Sequence, residues 1–260
     1  MALFNYFLLL FLLFFYNCKA DFLGEYCGKN TFISPDSLKS ANINHLLINL
    51  VANLPSNGFS STSYGVGINP TYVLAQCRWD ATKQHCSSCI QDAAMQIRQR
   101  CPNQGEAWTW FDYCFLRFGI QSFTGKADVS FGIIYWNVQN ITNPANFYLK
   151  LGALMDRVRK QALESSSVGL FGNKGVISLT SSETLYALVQ CTRDLSKLQC
   201  GKCLDIAISQ FSVFCLNRKG CRVLYGSCFA QYELYPFFFP LSNSTYSASS
   251  AKYLRAAIYP

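Results

Sequence analysis

The sequence predicts an α+β protein of two tandem disulfide-stabilised domains, each with two helices packed on one face of an antiparallel sheet. Three observations carry that expectation. A cysteine frame, C-x8-C-x2-C-x11-C-x12-C, occurs twice. It runs through Cys77, Cys86, Cys89, Cys101 and Cys114, and again 114 residues later through Cys191, Cys200, Cys203, Cys215 and Cys228. Five cysteines matching five without a slip mark an internal duplication. Around each frame, apolar stripes of helical period alternate with short β-prone runs, giving strand–helix–strand–helix–strands in each copy. Finally, 13 cysteines in 260 residues is a density that needs an oxidising compartment or metal.

The elements follow in chain order. Residues 1–20, MALFNYFLLLFLLFFYNCKA, read as a signal peptide, with Ala20 as the small residue at the cleavage point. Removing it discards Cys18 and leaves an even set of cysteines. The first domain is expected over 21–135. Asp21–Ser40 is polar and irregular, and Asn42–Leu54 is helical with Leu47, Leu50, Val51 and Leu54 as its stripe. Pro55 and Gly58 stop it. Tyr72–Gln76 is a strand. Cys86–Arg98 is a second helix with Ile90, Ala93, Ala94 and Ile97 inward. Trp108–Phe118 is aromatic and strand-like, and Val129–Tyr135 is a further short strand.

The second domain is expected over 136–240. Leu151, Leu154, Met155 and Val158 repeat the first helix stripe, and Leu204, Ala207, Ile208 and Phe211 the second. Val223–Leu234 repeats the aromatic strand. The tail 241–260 is Ser- and Ala-rich and reads as surface or disordered. Asn140-Ile141-Thr142 and Asn243-Ser244-Thr245 are N-glycosylation acceptors. After the signal segment no apolar run is long enough to cross a bilayer, so a secreted, extracellular product without membrane insertion is expected.

Composition and motifs narrow the function. The formal charge of +8 suits anionic surfaces. The basic residues are scattered, however, and the tightest group, Arg157, Arg159 and Lys160, fits a solvated helix face. Nucleic acid is therefore not an expected partner. The pairs Cys86/Cys89 and Cys200/Cys203 have the spacing of half a zinc site or of a redox C-x2-C. Two histidines in the chain and a secretory route argue against zinc, and no βαβ context supports a redox pair. Disulfides are expected, with connectivity left open. No G-x-S-x-G elbow occurs, and neither His45 nor His85 has a sequence-adjacent nucleophile. No catalytic residue, metal or cofactor is assigned.

The C-x8-C-x2-C motif, the YALVQCTRDLS start of the second frame and its GCRVLYGSCFAQYELYPFF end resemble the plant cysteine-rich repeat secretory proteins. Their ginkbilobin-type, salt-stress response/antifungal domain also builds the ectodomains of cysteine-rich receptor-like kinases and plasmodesmata-located proteins. The likeness spans roughly Asp21–Pro240. It implies a five-stranded antiparallel sheet with two helices and three disulfides per domain. Carried over, the pairs are Cys27–Cys101, Cys77–Cys86 and Cys89–Cys114, then Cys191–Cys200 and Cys203–Cys228. Copy two departs from the pattern. Trp136 aligns with the missing first cysteine, and Cys221 stands where copy one has Ala107. The expectation is that Cys215 pairs with Cys221 instead.

The resemblance also implies mannose binding by an Asn directly after the first cysteine, an Arg six residues before the last and a Glu five after it. Copy one offers Gly28, Trp108 and Gly119, and so lacks all three. Copy two offers Asn137, Arg222 and Glu233. Two readings follow from it: an apoplastic, mannose-binding defence protein with antifungal activity, or a non-lectin interaction module working with extracellular receptor ectodomains. Oligomeric state is not indicated.

Overall fold

The computed structural model describes residues 20–165, 169, 171–239 and 252–259. Nearly all of the expected signal segment, and the acceptor Asn243, lie outside the described residues.

The chain forms two compact units, one ending at Ile120 and the other beginning at Gln121. The first contains β1 (Phe22–Cys27), α1 (Leu38–Ala52), β2 (Phe59–Tyr64), β3 (Thr71–Cys77), α2 (Lys83–Arg100), β4 (Glu106–Phe111) and β5 (Cys114–Gly119). The second repeats this order as β6 (Gly132–Asn137), α3 (Pro144–Glu164), β7 (Gly172–Ser178), β8 (Thr184–Cys191), α4 (Lys197–Phe214), β9 (Cys221–Tyr225) and β10 (Cys228–Glu233). It then adds β11 (Tyr253–Ile258). The sheets run β1-β4-β5-β3-β2 and β11-β6-β9-β10-β8-β7, and every pair is antiparallel.

Each helix starts where a side chain can take up a backbone N–H that the first turn leaves unpaired. Ser37, Thr82, Asn143 and Ser196 are the four caps, each stabilising by about 1 kcal/mol. Thr82 and Ser196 occupy the same position of the two frames, so the C-x2-C pair falls in the first two turns of α2 and of α4. An i, i+3 pair shares one helix face. Cys86 and Cys89 therefore both look at the sheet, where of the cross-strand partners Cys77 closes β3 and Cys114 opens β5. Cys200 and Cys203 meet Cys191 and Cys228 in the same way. Neither C-x2-C closes on itself; each rivets one helix to two neighbouring strands.

The cores lie between helices and sheet. In the first unit Ile43, Leu46, Leu47 and Leu50 of α1 and Ile90, Ala93 and Ile97 of α2 pack on Val73, Ala75, Leu116 and Phe118. In the second, Leu151, Leu154, Met155 and Val158 of α3 and Leu204, Ala207 and Phe211 of α4 pack on Ala187, Val189, Val223 and Ala230.

Several expectations need correction. The α1 stripe lies one turn earlier than the sequence suggested: Ile43 is buried and Val51 is exposed, because the helix begins at Leu38. Asp21–Ser40 contains β1, which pairs along β4. The aromatic run Trp108–Phe118 is not one strand but spans the hairpin β4–β5, and Val223–Leu234 covers most of the hairpin β9–β10 and runs one residue past it. The strand expected at Val129–Tyr135 is β6, and it pairs with β9 of the second unit. A boundary at 135 would therefore cut through a strand of the second sheet. The tail is not wholly irregular: β11 lines the edge of β6 from Tyr253↔Asn137 to Ile258↔Gly132.

Candidate functional site

Strands β6, β9 and β10 lie side by side, and their register brings the three expected sugar ligands together. Glu233 ends β10, and by extension of the β9–β10 register it faces Gly220, which precedes β9. Asn137 ends β6, and its backbone N–H donates to the Gly220 carbonyl at 2.9 Å. Arg222 lies between Tyr135 and Gln231, two residues further along the ladder and so in the next row of the same face. Directly opposed residues in a sheet share a face, so all three candidates project from one end of one face. Tyr232, one residue earlier than Glu233, points to the helix side and joins the core.

Gly220 is what allows the convergence. A Cβ there would fall on the Glu233 carboxylate, so the acid occupies the space that any other residue would need. Glu233 is completely buried. Its Oε1 accepts from Gln231 Nε2 at 3.2 Å, while Oε2 has no donor in hydrogen-bonding geometry among the described residues. The Tyr253 hydroxyl interacts with the same carboxyl from β11, and itself lies 2.7 Å from the Tyr235 hydroxyl. Burial pushes the Glu233 pKa up to about 7, with Tyr253, the Arg222 charge and Gln231 pulling in the other direction. Asn137 is also buried, and its Oδ1 accepts from the Gln139 N–H at 2.9 Å, which leaves its amide N–H groups as the donor end. Arg222 is half-buried.

Copy one uses the same positions differently. Its first-strand position, Gly28, donates to the Glu106 carbonyl at 3.0 Å, the counterpart of the Asn137–Gly220 bond. That bond places Asn137 in the Gly28 position on structural grounds. Across the hairpin, however, the carboxylate has changed strands. Copy one has Glu106 where copy two has Gly220, and Gly119 where copy two has Glu233. Glu106 Oε1 accepts from Trp108 Nε1 at 3.1 Å and lies 3.4 Å from Arg117 Nη2. Arg117 lies over the Trp108 ring with 4.5 Å to its centroid, and both side chains are buried. In the copy-one cluster the acid is thus paired by its own neighbours, Trp108 and Arg117.

The remaining cysteines explain the altered frame. In copy one Cys101, at the end of α2, bonds Cys27 on β1, and Cys27 stands opposite Ala107. In copy two Cys215 bonds Cys221, and Cys221 stands opposite Trp136. The half-cystine has moved one strand across the ladder, to the immediate neighbour of its old position. Hence the Cα atoms at the two ends of each bridge remain 5.3 Å and 5.9 Å apart. Asn140 is exposed, and its Oδ1 accepts from Arg218 Nη1 at 2.9 Å.

The comparisons agree with this architecture. The model of the family described as Salt stress response/antifungal matches residues 26–121 and 136–235. The chain belongs to that family. It is 47% identical over 230 residues to cysteine-rich repeat secretory protein 55 of Arabidopsis thaliana, covering 86% of this chain and 87% of that one. It is 40% identical over 221 residues to the antimicrobial ginkbilobin-2-like protein of Castanea crenata, covering 85% and 90%. Among solved structures, it superposes on the tandem DUF26 ectodomain of the Arabidopsis thaliana cysteine-rich receptor-like protein PDLP8. There the TM-score is 0.70 at 24% identity, over 83% of this chain and 98% of that one. Six disulfides place the protein in the extracellular, oxidising class. No described helix is long and apolar enough to cross a membrane.

Sequence reasoning missed Gly220, Gln231, Tyr235 and Tyr253. The first two become visible only once the β9–β10 register is known. Tyr253 had a weak local signal, the run Tyr253–Ile258 after a Ser-rich stretch.

Proposed function

We propose that this secreted protein is a non-enzymatic binding protein of stress or antifungal defence. In this reading its second domain holds a mannose-type hexose through Asn137, Arg222 and Glu233. The supporting observation is the convergence of those residues on one end of the sheet around the fully buried Glu233 carboxyl, whose Oε2 has no donor in hydrogen-bonding geometry among the described residues. Such an oxygen costs stability unless a ligand O–H pairs with it. Adjacent sugar hydroxyls both donate and accept. Arg222 can only donate, and the Asn137 amide N–H groups also donate. Below pH about 7 Glu233 is a carboxylic acid that can do both. Copy one, whose Glu106 is taken up by Trp108 and Arg117, has no part in this site.

Calorimetric titration with mannose over the millimolar range tests the proposal. A saturable signal that disappears in Glu233→Gln is expected. The absence of a saturable signal from every form of the protein, including one in which β11 is displaced, refutes it.

A second reading, a protein-interaction module, draws support from a different feature. At the tip between β2 and β3 in the first domain, Val66 and Ile68 are each 87% exposed. Exposed apolar groups of this kind suit a protein partner. Loss of pull-down partners on Val66→Ser/Ile68→Ser, with sugar binding absent, would favour it.

A further inference from the structure

Strand β11 has no counterpart in the first unit, whose described sheet has five strands against six in the second. It adds to the free edge of β6, the strand that carries Asn137, and Tyr253 stands directly opposite Asn137. Tyr253 thus extends the row formed by Glu233, Gly220 and Asn137. Its hydroxyl interacts with the Glu233 carboxyl and lies 2.7 Å from the Tyr235 hydroxyl. A phenolic O–H beside a buried carboxyl presents the group that a sugar hydroxyl would present. With β11 in place Glu233 is 0% exposed and Asn137 5%, so a hexose has no access to either.

The strand is held weakly for its length. It has a neighbour on one side only. Leu254, Arg255 and Ala257 are exposed, Tyr253 and Ala256 are half-buried, and only Ile258 is buried. Segments with few buried apolar contacts are those that open locally without global unfolding.

We infer that β11 is a built-in competitor that holds the second-domain sugar site closed, and that its displacement opens Glu233 to a hexose. The inference rests on the sugar-binding reading above. Closed and strand-released forms are two states of one chain, and a hexose that binds only the released form has its affinity reduced by the fraction released.

The test uses the full-length chain. Successive residues of a strand direct their N–H groups to opposite edges. Prolines at both Arg255 and Ala256 must therefore remove at least one N–H from the ladder with β6. Tyr253→Phe, a second variant, keeps the strand and removes only the hydroxyl. Mannose binding is measured by calorimetry, and hydrogen exchange follows the amides of Ile133–Asn137 as the readout of release. The expected result is faster exchange in the double-proline variant and binding tighter than the parent's by about tenfold or more. Tyr253→Phe should show a smaller gain. Equal affinity in the parent and the double-proline variant, despite faster exchange, overturns the closed-site inference and leaves the sugar reading standing. No binding in either, with exchange again faster, overturns the sugar reading and the inference with it. Unchanged exchange shows that β11 is not held by the β6 ladder and also overturns the inference.

Discussion

Replacing Cys27 and Cys101 by alanine, and separately Cys215 and Cys221, compares two bridges that anchor the same helix end by routes of very different length. The first joins residues 74 apart in sequence and the second residues 6 apart. In the chain-entropy account, closing loops of these sizes stabilises by about 4.5 and about 2.4 kcal/mol respectively. A cavity effect runs the other way. Cys215 and Cys221 are both fully buried, whereas Cys27 is half-buried, and the additional buried void costs about 1 kcal/mol. The first unit should therefore lose more stability than the second, by roughly 1–2 kcal/mol. Tryptophan fluorescence during urea denaturation reports mainly the first unit, which holds Trp79, Trp108 and Trp110, while Trp136 lies in the second. Hydrogen exchange of the α1–α2 and α3–α4 core amides reads the two units separately. An equal or larger loss on removing Cys215–Cys221 would show that loop length does not govern what these bridges contribute, and the reasoning would fail.

Two further predictions concern the second-domain site. The Glu233 pKa is raised in the folded state, so the acid form favours folding. Its contribution, on the order of a few kcal/mol, is fully present below the ordinary carboxylate range and is lost as pH rises through about 7. Urea midpoints of the second unit should fall between pH 5 and pH 8, and Glu233→Gln should flatten that fall; a parent profile already flat would contradict it. Gly220→Ala drives a methyl into the Glu233 carboxylate and should cost about 1–3 kcal/mol. Most of that should be recovered in Gly220→Ala/Glu233→Ala, as a double-mutant cycle would show; additive losses would mean that the two residues do not compete for one space.

Most of the architecture was legible because its signals are local or periodic. The cysteine frame and the α3 and α4 stripes repeat at fixed spacing. What escaped depends on pairing between distant residues. The β4–β5 turn carries no Asn-Gly or Asp-Gly signature and aromatics run across it, so that hairpin looked like one strand. Gly226-Ser227 between β9 and β10 is a two-residue hairpin signal, masked by the match of the segment to its copy-one counterpart. Phe22–Cys27 and Tyr253–Ile258 are edge strands with one solvent-facing side, and their polar or small residues mask the β pattern. The ligand triad was assembled from the resemblance. That Glu233 is buried, that Gly220 makes room for it and that Tyr253 stands beside it are properties of register, and neighbours in sequence do not record register.

The exchange of Glu106/Gly119 for Gly220/Glu233 also bears on how the two halves can change. At this height each hairpin carries one carboxylate and one glycine, on opposite strands. A crossover between the copies with its breakpoint inside the hairpin would join β4 to β10 or β9 to β5. The first hybrid sets Glu106 against Glu233, two acids where one leaves no room for a neighbour's Cβ. The second sets Gly220 against Gly119 and leaves Arg222 with no acidic counterpart. Only breakpoints outside the hairpin preserve one acid per site, and moving β9–β10 alone would part Cys221 from Cys215, so a recombinant keeps both its acid and its bridge only where the hairpin and the helix end bonded to it travel together.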